Sequence, residues 1–146
     1  FHFGFYPKAG PFEAVHIDNV ADSAASSGSV EVTLEQLGEW NPDFMFLNAS
    51  NMELMRKDYA DNQAFFNGLK AFQTGNIYTQ PSYNMNGTNI EIAICDAYFD
   101  GATVYPEAFA DVDLENTYRE ILQVMLGVDC YDQLKAKGLV FDKLSF

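Results

Sequence analysis

Side chains able to carry chemistry are sparse in this 146-residue chain. There are two histidines, His2 and His16, and two cysteines, Cys95 and Cys130. A Ser-His-Asp triad or a His-rich metal centre would need unusual economy from so few. His16 and Asp18 stand two apart, which suits neither a metal pair on a helix nor an acid–base pair, so both read as surface polar residues. Glu115 and Glu120 could act as paired carboxylates, yet in so acidic a chain they cannot be told from a solvated helix face. No GxSxG, P-loop, GxGxxG after a strand, HExxH or CxxC occurs. What the chain offers instead is neutral. Tyr6, Asn51, Tyr83, Asn84 and Asn86 are donors, acceptors and flat aromatic surfaces, suited to holding a small molecule rather than transforming it.

The elements that must position them alternate between strand and helix. Residues 1–6 (FHFGFY) put aromatics on both strand faces, as a strand covered on both sides would, and the loop 7–11 breaks it at two prolines. Residues 12–20 have helix-compatible spacing, and 21–28 (ADSAASSG) form a connection. The segment 32–47, VTLEQLGEWNPDFMFL, organises the rest. Thr33 should cap a helix by accepting the Gln36 amide while the Gln36 side chain reaches back, with Leu34, Leu37 and Trp40 on one face. Pro42 forces a turn, and 44–47 form a buried strand.

A loop follows at 48–51, then helical segments at 52–58 and 62–71, a strand at 77–79 ended by Pro81, and the loop 82–87. Thr88-Asn89-Ile90-Glu91 reads as a second capping box opening a helix over 89–100, closed by Gly101. A further helix from Asp113 to Gly127 shows apolar spacings of three, four and seven. Another runs from about 129 to 138, and 139–141 could add a small strand. This order predicts an α/β fold: a three-layer lobe with a short, mostly parallel central sheet flanked by helices. In such sheets ligands meet the C-terminal ends of the strands, which brings the loops 7–11, 48–51 and 82–87 to one rim. Lys8 is the only base in those loops.

Composition narrows the function. Twenty-one acids against eight bases give a net charge of −13, which opposes nucleic acid or an anionic membrane surface as a partner. No apolar run approaches the roughly 20 residues of a membrane-spanning helix. Two cysteines 35 positions apart suggest neither a metal site nor a disulfide scaffold; two buried thiols are the simpler reading, with a single disulfide the other. The chain opens without an initiating Met or a secretory apolar region, on what looks like the middle of a strand, so it is expected to be one part of a longer protein.

The segment 32–47 resembles V-S-x-E-Q-L-x-x-W-N-P-D-hydrophobic in the C-terminal lobe of the periplasmic-type substrate-binding proteins that serve iron-siderophore, haem and cobalamin ABC importers. GNIYTQPSYN at 75–84 is similar to that family as well. So is DAYFDGATVYPEAFAD at 96–111, through Tyr105, Pro106, Glu107 and Phe109. The resemblance covers most of residues 30–138 and implies one lobe of a two-lobed protein whose halves are joined by a rigid helix. It implies no catalysis and no cofactor or resident metal. The implied ligand is an iron chelate of ferric siderophore type, with cobalamin or haem as alternatives, contacted by Tyr6, Asn51, Tyr83 and Asn84. In this family the glutamate of the S-x-E-Q motif contacts the membrane permease, and here that position is Glu35; helix-dipole compensation is its other role. The implied setting is extracytoplasmic, periplasmic or lipid-anchored, and monomeric. An enzyme or cofactor-assembly protein reusing the same lobe is the alternative of another class.

Overall fold

The computed structural model describes residues 3–25 and 28–146. Phe1 and His2 of the expected first strand, and Ser26 and Ser27 of the expected connection, lie outside the described residues. The central sheet is small and mixed. β3 (Met45–Asn48) pairs parallel with β4 (Ile77–Gln80) from Met45↔Ile77 to Asn48↔Gln80, and β5 (Asp142–Lys143) adds antiparallel to β4. Pleat alternation then sorts the side chains. Met45, Leu47 and Ile77 point into one apolar cluster, and Phe46 and Tyr78 into another on the opposite face.

The first cluster is closed by Leu37 of α2 (Leu34–Trp40), Met55 of α3 (Met52–Asp61), Phe66 of α4 (Gln63–Phe66) and Ala71 of α5 (Lys70–Thr74). The second is built from Ile92, Cys95 and Phe99 of α6 (Ile90–Val104), Tyr118 and Leu122 of α7 (Leu114–Leu126), and Tyr131 of α8 (Tyr131–Ala136). Helices therefore cover both faces, the expected three-layer α/β arrangement. No helix among the described residues is long and apolar enough to cross a membrane.

Several local expectations change. β1 (Phe3–Phe5) does not enter the central sheet; it pairs antiparallel with β2 (Val30–Val32), a strand the apolar pattern had not announced. The helix expected at 12–20 is only α1 (Gly10–Ala14), because His16 adopts φ 58° and ends it. His16 is thus a turn residue, whose carbonyl accepts from the Tyr105 hydroxyl at 3.0 Å. The helical stretch at 62–71 divides into α4 and α5. The apolar run 139–141 is not itself the last strand, since β5 follows it and Phe141 packs into the second core.

Half of the first capping box forms. Thr33 Oγ1 accepts the Gln36 amide at 3.2 Å, but the Gln36 side chain donates to Glu39 instead of reaching back. The second box does not form. Asn89, not Thr88, precedes α6, and its side chain caps nothing there; it donates to the Tyr83 and Met85 carbonyls, both at 3.2 Å. α6 also runs past Gly101 to Val104. Gly101 is a packing glycine, since a Cβ there would lie 2.7 Å from Cε2 of Phe109. At the other expected stops the signals act as read: Asn41 (φ 41°) ends α2, and Gly127 (φ 75°) ends α7. Arg119 then ties α7 to α8 through Glu115, Asp129 and Asp132, which hold its guanidinium well above its ordinary value.

Candidate functional site

β3 is the outer strand of its sheet, and an open groove of about 770 Å³ follows its free edge. Met45, Phe46, Leu47 and Asn48 all line it although alternate residues face opposite sides of the sheet, which is possible only along an edge. At the N-terminal end of the strands stand Trp40 and the Asn41-Pro42-Asp43 turn, with Asp43 paired to Lys70. At the C-terminal end stand Asn48, Asn51, Gln80 and Tyr83. The far wall carries Phe5, Tyr6 and Tyr105. The volume falls in the range of small-molecule sites.

Three of the four residues expected at the rim meet in this groove. Tyr6 is 45 % exposed, and its carbonyl accepts from the Asn19 side chain at 2.8 Å, which fixes the chain where β1 ends. Asn51 is exposed at the end of a 3-10 turn over Ala49–Asn51, itself started by Asn48 Oδ1 accepting the Ser50 amide at 2.9 Å. Tyr83 is half-buried with its ring against the second core, held by the Asn89 bonds to its loop. Asn84 is half-buried beside it and does not line the groove. Asn86 adopts φ 57° in the same loop and is also outside the lining.

Sequence reasoning missed Gln80, Asn48, Tyr105 and Trp40 as groove residues. The signal for Gln80 and Asn48 was available, because each is the last residue of a parallel strand, where ligands are met. Strand-end geometry gave none for Trp40 and Tyr105, since Trp40 arrives by packing on Phe5 of β1 and Tyr105 by its hydroxyl bond to the His16 turn.

Two acids, Asp18 and Asp43, and one base, Lys70, which is paired with Asp43, line the groove. Neither arginine of the chain lines it: Arg56 lies over the Phe146 ring, and Arg119 is held by its three acids. Lys8 is drawn to Asp22, which accepts both its backbone amide (2.6 Å) and its ammonium (2.9 Å); the side-chain bond, and then the charge of Asp22, raise the Lys8 pKa. Among the described residues no group of three or more His, Cys, Asp or Glu could hold a metal ion. Cys95 and Cys130 are free thiols, and burial, with the charge of Asp96 next, pushes Cys95 up to about 12. Glu115 and Glu120, which the sequence could not tell from a solvated helix face, are both exposed, and Glu115 is held in the Arg119 network. Glu35 is exposed in the first turn of α2.

No family model matches the chain, and no curated protein matches it. Solved structures do, among them two from Veillonella parvula. One is a TroA-like periplasmic binding protein, FepB, from Veillonella parvula, with 20% identity and a TM-score of 0.58 over 78% of this chain and 37% of that one. The other is a periplasmic solute binding protein from Veillonella parvula DSM 2008, with 17% identity and a TM-score of 0.63 over 89% of this chain and 40% of that one. The fold is therefore that of part of a TroA-like periplasmic binding protein. This chain spans about two fifths of the length of the structures it matches.

Proposed function

We propose that the chain is the C-terminal lobe of an extracytoplasmic solute-binding protein of an ABC importer, with no catalytic step of its own. It takes an iron chelate of ferric siderophore type against a second lobe and delivers it to the permease. The observation that carries this reading is the convergence of Tyr6, Asn51 and Tyr83 on one groove at the strand ends, in a fold otherwise seen in periplasmic solute-binding structures. Glu35, exposed at the start of α2 and off the Leu37 face, is the permease contact.

The absence of arginine from the groove lining favours a second ligand class in the same role. A flat, weakly charged macrocycle such as haem or cobalamin needs aromatic walls and amide contacts more than guanidinium groups. Fluorescence titration of the full-length protein with ferric chelates, haem and cobalamin separates the two. Saturable quenching by one class names the ligand, and a flat response to all three overturns the transport reading. For the permease contact, Glu35→Arg is expected to abolish uptake at unchanged ligand affinity; normal uptake removes Glu35 from that interface.

A further inference from the structure

α6 carries two carboxylates four positions apart, Asp96 and Asp100, both at 0 % exposure. That spacing sets their side chains next to each other on one helix face. None of the four carboxylate oxygens has a hydrogen-bond partner among the described residues. Gln80 lies close enough to favour the charged form of Asp100, yet no bond of ordinary length joins them, and its buried Oε1 is unpaired too. From α7 the Tyr118 hydroxyl is a further unpaired oxygen on a side chain only 3 % exposed, and it feels the charge of both carboxylates.

An isolated carboxylate in such surroundings is costly, and two side by side more so. Among the described residues no lysine or arginine is paired with them. Both arginines are engaged elsewhere, Lys8, Lys57, Lys70 and Lys135 pair with other acids, Lys143 lies over Tyr78, and Lys137 is exposed. The protonated Cys95 thiol is the neighbouring sulfur, and the unpaired groups are all oxygen, with two formal negative charges and neutral amide and hydroxyl groups. Such a set suits a hard divalent ion, which two carboxylates bring to neutrality. Magnesium gives up its waters reluctantly, whereas calcium accepts irregular oxygen shells, so calcium fits a buried site better.

We propose that Asp96, Asp100 and the side-chain carbonyl of Gln80, with the Tyr118 hydroxyl beside them, bind one hard divalent cation of calcium type. Gln80 belongs both to this cluster and to the groove lining, so the ion would lie behind the groove and fix the direction in which the Gln80 amide faces it. The site is independent of which solute the groove takes.

The test is calcium chloride titrated into chelator-treated protein at pH 5 and pH 8, followed by calorimetry and thermal unfolding, with magnesium and sodium chlorides in parallel. One equivalent of calcium should bind and raise the melting temperature, more at pH 8 than at pH 5 because protons compete for the same oxygens. Magnesium should act more weakly. Asp96→Asn and Asp100→Asn, nearly isosteric, should each weaken calcium binding by about tenfold or more. The proposal fails if calcium changes neither heat nor melting temperature at either pH. It fails equally if folded Asp100→Asn protein binds calcium as before, or if acid alone stabilises the native chain and calcium does not.

Discussion

Gly101 and Asp100 are adjacent on α6, and each turns a local rule into a packing constraint. Gly101 admits the Phe109 ring, so Gly101→Ala should force the ring aside and cost about 1–3 kcal/mol in urea unfolding. An unchanged midpoint would mean that the loop carrying Phe109 gives way freely. At Asp96 and Asp100, burial first, and for Asp96 the neighbouring Asp100 charge next, raises both carboxyls well above the usual range. Their folded values exceed the unfolded one of about 3.9, so in calcium-free buffer their contribution is complete below that pH. It is lost as pH climbs toward the folded values. Asp100→Asn should therefore stabilise the chelator-treated protein at pH 8 by about 1–3 kcal/mol and flatten its pH dependence above pH 4. A loss of stability at pH 8 would contradict this.

Among the elements, the loop between β4 and α6 gains its shape from one side chain. Asn89 holds the Tyr83 and Met85 carbonyls, and its own amide donates to Tyr83 at 2.7 Å. Asn89→Ala removes two side-chain bonds worth about 0.5–1.5 kcal/mol each, and by loosening Tyr83 should weaken the solute binding proposed above by roughly tenfold or more. Equal affinity in the variant would separate the loop's order from the site. Asn89 also shows why part of the chain resisted reading. Thr-x-x-Glu is a capping signal in general, but here a competing pair of carbonyls in the preceding loop takes the asparagine, and a pattern cannot reveal which partner wins. The segment 32–47 was legible because its signals are local: an N-cap at Thr33, apolar spacing, and Asn-Pro at the end. The strand at β1 was legible too, but β2 and its pairing with β1 were not, because that pairing joins distant residues such as Phe3 and Val32. Asn51 and Tyr83 follow the ends of β3 and β4, as strand-end geometry expects, whereas Tyr6 reaches the groove from β1 in the separate two-stranded sheet, and the buried carboxylates were hidden by the acidity of the whole chain.

At the scale of the molecule, the C-terminal residues return to the first core. The Leu144 amide donates to the Ile77 carbonyl at 2.8 Å, and the Phe146 ring lies against Tyr59 and Phe72 at 5.0 and 5.4 Å. Deleting residues 144–146 should cost about 2–5 kcal/mol by denaturant unfolding, the scale of losing a packed aromatic together with a leucine. A smaller loss would mark the tail as decoration. The clasp matters because of how the two cores are distributed along the chain. The buried residues of the first run from Leu37 to Ile77, and those of the second from Ile92 to Tyr131, so each is gathered from one uninterrupted stretch. A backbone cut in the loop at 85–87 severs neither. Two separately made fragments would each keep their own apolar cluster and recognise one another through Phe46, Tyr78 and Tyr83 on one piece and the returning tail on the other. The groove loop thus doubles as a seam at which the chain could be divided and reconstituted, with the return of cooperative unfolding as the signal that the halves have rejoined.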